Sequence, residues 1–216
     1  MKKSLCILTL TAVFGLNAFA ADGVPKFELT GDYSYMQFNT TLTGLQSRAF
    51  NGGGGQFQLN FGKYFGIKGD FQGYGSTQWT VNVTSPIPTS QGIIPIGTYK
   101  SNANMFTYMF GPVVGIRTGR IHVFGEVLFG GAASAGYADL YNETIVGGVA
   151  SKSGSQHPFT MAIGGGLDVN AGKHVAFRLA ELDYVLTRFT NPFTQTNNQN
   201  SFRYLGGIVF KFGGGD

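Results

Sequence analysis

Hydrophobic and polar residues alternate with period two along this chain, in repeated pieces of about ten residues. In 27–35 Phe27, Leu29, Gly31, Tyr33 and Tyr35 alternate with Glu28, Thr30, Asp32 and Ser34. In 55–62 Phe57, Leu59 and Phe61 alternate with Gln56, Gln58 and Asn60, and in 67–73 Ile67 and Phe71 alternate with Lys68, Asp70 and Gln72. Segment 104–117 sets Phe106, Tyr108, Phe110, Val114 and Ile116 against Thr107, Gly111, Gly115 and Arg117; segment 121–129 sets Ile121, Val123, Val127 and Phe129 against His122 and Glu126. In 159–170 Phe159, Met161, Ile163, Leu167 and Val169 oppose Thr160, Ala162, Gly164, Gly166, Asp168 and Asn170. Segments 175–187 and 202–212 complete the series, the last with Phe202, Tyr204, Ile208, Phe210 and Phe212 against Arg203, Gly207 and Lys211. Such alternation predicts strands with two chemically different faces.

One segment breaks its own parity. With Arg178 on the polar face, Glu181 and Asp183 fall on the apolar one. Two acids on that face would be costly, so the pattern predicts a β-bulge near Ala180 that returns both to the face of Arg178.

The connections alternate in length. Stretches 63–66, 118–120 and 171–174 are tight turns, whereas 39–52, 77–102, 134–157 and 188–200 are long and polar. Three short turns between four long loops predict eight antiparallel strands in an up-and-down barrel, with both chain ends on the short-turn side. An even strand number with short turns at one end and long loops at the other describes a bacterial outer-membrane barrel, and pairing of the first strand with the last removes the open edges that lipid does not tolerate.

Alternation alone leaves open which face is outside, because a secreted lipocalin is also an eight-stranded barrel, with the opposite polarity. The interior of eight strands is only just wide enough for side chains, so the small and polar parity is expected inside and the Phe, Tyr, Ile, Leu and Val parity outside. The lumen then holds Glu28, Asp32, Lys68, Asp70, Arg117, Glu126, Asp168, Arg178, Glu181, Asp183, Arg203 and Lys211, seven acids and five bases. Buried charges must pair, so an interior salt-bridge network that fills the lumen and sets strand register is expected.

Composition agrees with a membrane barrel. Among 216 residues only 12% are charged, while 34 are Gly, 20 Phe and 10 Tyr; a soluble domain carries roughly 25% charged residues. The basic balance of 15 Lys and Arg against 11 acids includes Lys2 and Lys3 in an N-terminal leader, and what is left is no phosphate-binding footprint, which excludes nucleic acid as a partner. Residues 1–20 read as a signal peptide: Lys2 and Lys3, an apolar stretch over 5–16, and the cleavage motif Ala18-Phe19-Ala20. Cys6 lies in this leader, so the mature barrel domain, 21–216, contains no cysteine and no disulfide.

The chain resembles the small outer-membrane β-barrel proteins of the OmpA/OmpX type, particularly the barrel-only members. The residues that carry this are Gly164-Gly165-Gly166-Leu167-Asp168-Val169, His174-Val175-Ala176-Phe177-Arg178-Leu179, Asp183-Tyr184-Val185-Leu186-Thr187-Arg188-Phe189 and Gly207-Ile208-Val209-Phe210-Lys211-Phe212. The resemblance implies an integral protein of the bacterial outer membrane, monomeric, in contact with lipid and lipopolysaccharide and folded by the barrel-assembly machinery. Gly207, Phe210 and Phe212 match the Gly-x-x-aromatic-x-aromatic signal that this machinery reads. Leu205, where the signal prefers a polar residue, and the trailing residues 213–216 depart from it. OmpA's periplasmic peptidoglycan-binding activity is not carried over.

The candidate chemistry is sparse. Lipid A-modifying barrels use His with Ser and an acid, but His122, His157 and His174 read as rim or surface residues, and no metal site is expected from histidines placed at opposite ends without a thiol. Asn51-Gly52-Gly53-Gly54-Gly55 lacks the Lys-Ser/Thr of a phosphate loop and reads as a flexible lead into the second strand. Trp79, Tyr74, Tyr108 and Tyr137 suit an aromatic girdle. Loops 77–102 and 134–157 are candidate surfaces for a partner, the first because Ile87, Ile93, Ile94 and Ile96 lie among Pro86, Pro88 and Pro95. The expectation is a non-enzymatic structural and surface-interaction protein without cofactor. A lipid A-modifying enzyme and a narrow small-solute channel are the alternatives.

Overall fold

A computed structural model describes residues 23–39, 47–89, 92–135, 157–188 and 198–214. The signal peptide 1–20, most of loop 134–157, most of 188–200 and Tyr137 lie outside the described residues.

Ten strands are described: β1 (Phe27–Phe38), β2 (Arg48–Phe61), β3 (Phe65–Val83), β4 (Ile87–Thr89), β5 (Gly92–Ile94), β6 (Gly97–Thr118), β7 (Ile121–Ala135), β8 (Phe159–Asn170), β9 (Val175–Thr187) and β10 (Gln199–Phe212). Eight of them close an antiparallel barrel in the order β1-β2-β3-β6-β7-β8-β9-β10, with β10 returning to β1; β4 and β5 form a separate two-stranded hairpin. Closure runs from Phe27 opposite Phe212 to Gln37 opposite Phe202, which leaves neither terminal strand with an open edge.

The barrel confirms the eight predicted segments and lengthens several. The stretch 77–102, expected as a long polar loop, is largely strand: Thr77 pairs with Ala103 and the ladder continues to Val83 opposite Gly97. The run Thr77-Gln78-Trp79-Thr80-Val81-Asn82-Val83 is rich in β-branched and aromatic residues, and among the described residues β3 and β6 continue past Tyr74 and Asn104, the last positions they pair with β2 and β7. Residues 51–55 are not a flexible lead. They lie in β2, paired on one side with β1 from Gly31 to Tyr35. A Cβ at Gly52 would stand 2.0 Å from the Gly73 carbonyl oxygen, so the strands approach there as only glycine permits.

The parity-breaking segment contains its bulge. Asp168 faces Arg178 while Leu167 faces Ala180, so Leu179 is the extra residue, and the β10 ladder shifts at the same place. Arg178, Glu181 and Asp183 are all buried, and Leu179 and Leu182 are exposed. The Tyr204 hydroxyl donates to the Leu179 carbonyl at 2.9 Å, satisfying an oxygen that the bulge removes from the regular ladder.

The outer surface carries Leu29, Tyr33, Ile67, Phe106, Phe110, Ile116, Val123, Phe129, Ile163, Phe177, Leu182, Phe202, Phe210 and Phe212, all exposed. The interior is two-tiered, and only the lower tier was anticipated. Toward the long-loop end uncharged side chains fill the lumen, with Met36, Phe38, Phe50, Tyr74, Met105, Met109, Leu128, Ala162 and Val185 buried beside the polar Thr107, Ser134, Thr160, Thr187, Gln199 and Ser201. Tyr74 is therefore not a girdle residue: it is 4% exposed and its hydroxyl lies 2.9 Å from the Ser34 hydroxyl. Tyr108 is half-buried on the outer face, and the Trp79 side chain lies outside the described residues.

Candidate functional site: the barrel lumen

The lower and middle lumen gathers the charged residues into a ladder of ion pairs. At its centre Lys68 pairs with Glu126 and, at 3.0 Å, with Glu181. Arg178 reaches Glu181 at 2.7 Å and holds Asp168 with two nitrogens, Nε to Oδ1 at 2.7 Å and Nη2 to Oδ2 at 3.2 Å. Arg203 bridges two strands in the same way, donating to Asp183 from Nε and Nη2 and to Asp70 from Nη1 at 2.8 Å. Fork geometry suits both arginines to this work, because a planar guanidinium offers separate nitrogens in fixed directions to each carboxylate.

Neutral side chains knit the ladder together. Gln56 donates to Asp70 at 2.9 Å and to Glu181 at 2.8 Å, and accepts from Arg178. Gln58 donates to Asn60, which donates in turn to Glu28. Phe124, which the alternation did not place inside, lies between two cations: Lys68 Nζ is 4.3 Å and the Arg178 guanidinium carbon 4.7 Å from its ring centre. This is cation–π geometry in a desolvated setting. The ring fits because Gly166 stands opposite, where a Cβ would come within 2.6 Å of it.

Of the twelve residues expected in the lumen, nine are fully buried: Glu28, Lys68, Asp70, Glu126, Asp168, Arg178, Glu181, Asp183 and Arg203. Arg117 is partly exposed and pairs with Glu28. Lys211 lies at the short-turn mouth, donating to Asn170 Oδ1 at 2.6 Å and Gly172 O at 3.3 Å. Asp32 lies beside Gly207 and both of its buried oxygens lack a hydrogen-bond partner. The acids outnumber the bases, and Glu126 Oε1 and Asp183 Oδ1 are likewise unpartnered.

Gly164 separates the last two, paired with Glu126 on one side and Asp183 on the other. A Cβ there would stand 2.1 Å from Asp183 Oδ1 and 2.2 Å from the Leu182 carbonyl oxygen. Gly164→Ala is accordingly expected to lower stability by about 1–3 kcal/mol, the usual cost of overpacking. The urea midpoint of the refolded barrel measures it, and an unchanged midpoint would mean that the strands yield there without strain.

His122 corrects the expectation of a rim histidine. It is 4% exposed, and the β7–β8 register sets it directly opposite Asp168, with Nδ1 3.2 Å from Asp168 Oδ2. Its place on the polar parity of 121–129 was the available signal. Potential ligand atoms of Glu28, His122 and Asp168 lie within 4.8 Å of one another, as do those of Glu126, Glu181 and Asp183. Both groups already have cationic partners, Arg117 and Arg178 in the first, Lys68, Arg178 and Arg203 in the second, which disfavours a metal ion in either. His157 and His174 are exposed. In the closing strand, Phe210 and Phe212 face outward and the Phe212 ring lies 6.1 Å from that of Phe27 across the seam, while Gly207 faces inward against Asp32.

A closed up-and-down barrel with an apolar belt outside and its charges inside defines an integral outer-membrane protein. Residues 6–213 match the outer membrane protein beta-barrel domain family, and the chain belongs to that family. Family membership implies the bacterial outer membrane. Among solved structures, the chain is similar to Neisserial surface protein A, NspA, at 9% identity and a TM-score of 0.56, covering 88% of this chain and 100% of that one. It is also similar to the outer membrane protein OprG of Pseudomonas aeruginosa, at 10% identity and a TM-score of 0.51, covering 89% and 98%. These likenesses establish a shared fold. No curated protein matches the sequence.

Proposed function

We propose that this protein is a non-enzymatic outer-membrane barrel whose closed lumen serves as a rigid support for the segments it presents at the cell surface. One observation carries this reading: beyond its short-turn mouth the lumen is occupied by its own side chains. The charged ladder fills the part toward the short turns, and Met109, Leu128, Ala162 and Val185 form a dry cluster toward the loops, each at most 1% exposed. Ionised pairs that bridge strands penalise a one-residue slip, because a slip turns every inward charge toward lipid. The network thereby sets register as well as filling space.

Among the described residues, β3 and β6 extend past Tyr74 and Asn104, the last positions they pair with β2 and β7. They carry the β4–β5 hairpin, and Ile96 near its base is 65% exposed. That segment, with loop 134–157, is the candidate partner surface. The assembly machinery would read Gly207, Phe210 and Phe212, of which the two aromatics face outward. Against a lipid-modifying enzyme stands the placement of His122, whose acid partner lies inside the barrel rather than at the lipid face.

Planar-bilayer recording of the purified barrel tests the proposal. No steady openings are expected at physiological salt, because an ion would have to cross an apolar layer after a ladder of paired charges. Steady openings of channel-like conductance would replace this reading with that of a small-solute channel.

A further inference from the structure

Residues 71–99 contain no Asp, Glu, Lys, Arg or His. The first part of this run is barrel wall. From Thr77 opposite Ala103 to Val83 opposite Gly97 it belongs to a two-stranded ribbon of β3 and β6, which neither β2 nor β7 accompanies among the described residues. Beyond the ribbon β4 and β5 pair with each other, Ile87 opposite Ile94, Pro88 opposite Ile93 and Thr89 opposite Gly92. Beside this hairpin Pro86, Pro95 and Ile96 are exposed, Ile96 at 65%.

Two features set the hairpin apart from an ordinary surface loop. Successive residues of a strand alternate between faces, so the register places Ile87 and Ile94 on one face and Pro88 and Ile93 on the other. Both faces thus carry an apolar pair, whereas a hairpin that packs against a protein surface needs only one. The second feature is the charge-free run itself, since an ionised group near the tip would oppose its transfer out of water. Both features fit a partner that surrounds the tip, not one that meets it from a single side.

The barrel's own membrane lies too far from an extended ribbon to be that partner. Phe106 is exposed on the outer belt, and Gly97, the first residue of β6, precedes it by nine positions. That is about 30 Å at the rise of a strand, or roughly 20 Å of height at the usual strand tilt of a membrane barrel. The hairpin lies beyond this point.

We propose that the β4–β5 hairpin is a membrane-insertion tip, which enters the interfacial layer of a phospholipid bilayer other than the one that holds the barrel. The proposal deepens the surface-interaction role given above and rests on it for the side of the membrane on which the hairpin stands. Zwitterionic headgroups suffice, because the tip brings no charge to pair with anionic lipid. A tip of this size anchors shallowly and does not span.

The test uses the full chain in a nanodisc mixed with phosphatidylcholine vesicles. Wild-type nanodiscs should float with the vesicles, equally at low and high salt, because no screened attraction is involved. The only cysteine is Cys6, so C6S/T89C carries a single environment-sensitive dye at the tip. Its emission should shift to the blue on mixing and be quenched by spin labels in the upper acyl chain. The variant I87T/I93T/I94T should bind at least about tenfold more weakly, while Thr keeps the β-branched shape that suits the ladder. Binding by I87V/I93V/I94V should stay within a few-fold of wild type, and heat-shifted gel mobility checks that each barrel is folded. Absence of flotation, an unshifted dye, or equal flotation of the threonine variant would overturn the insertion. So would binding that needs anionic lipid or fades in salt, and so would wild-type nanodiscs that associate with one another without vesicles. A barrel that stays closed in bilayer recording yet ignores the vesicles would refute the tip and leave the filled-lumen reading intact.

Discussion

Replacing Arg203 with Leu is expected to destabilise the barrel by about 3–5 kcal/mol, the cost of breaking a buried ion pair by removing one partner. Arg203 is 1% exposed and serves Asp183 and Asp70 at once. Its loss strands two carboxylates in a lumen where acids already outnumber bases, and Leu offers neither of them a donor. Arg203→Lys should recover only part of the loss, since one shorter ammonium cannot replace the three separate nitrogens that Arg203 sets on Asp183 and Asp70. Adding Asp70→Asn and Asp183→Asn to Arg203→Leu should recover more, because it removes the uncompensated charge. Urea titration of the refolded protein, followed by the heat-dependent shift in gel mobility, measures all of these. A wild-type midpoint for Arg203→Leu would show that the ladder adds nothing to stability, and the structural reading of the lumen would fail with it.

Ile163→Arg is expected to cost about 2–4 kcal/mol, the penalty for a cation on the lipid face near the bilayer midplane. Ile163 lies in the middle of β8, 50% exposed on the outer surface. Phe159→Arg, nearer the end of the same strand, should cost less, because an arginine close to the interface can snorkel to the headgroups. This gradient separates a lipid-facing belt from an ordinary exposed surface, on which both substitutions would be nearly neutral. Equal and small effects in bilayer vesicles would overturn the orientation of the barrel.

The strands of 159–170 and 175–187 were legible to the residue, because their inward and outward positions differ sharply in chemistry and their turns are short. The bulge was legible for the same reason: two acids on an apolar parity have no other inexpensive solution, and Leu179 supplies the extra residue. The alternation failed at the loop end. There Met36, Phe38, Phe50 and Leu128 are buried inside, so the two faces no longer differ in polarity and period two carries no direction. Strand length failed at β3 and β6 for a related reason, since a strand outside the membrane has no lipid face to enforce a pattern.

His122 and Phe124 mark the limit of the linear reading most clearly. Both sit on the inward parity of β7, yet their roles depend on residues far along the chain, Asp168 for the first and Lys68 and Arg178 for the second. Local alternation carries the strand number, the closure, the outward belt and the identity of the inward charges, because each follows from a requirement that every strand meets alone in lipid. Which charge meets which, and where a phenylalanine fits among them, were settled only by the closed barrel. Those facts depend on register across eight strands, and register is a property of the assembled sheet, not of any one segment.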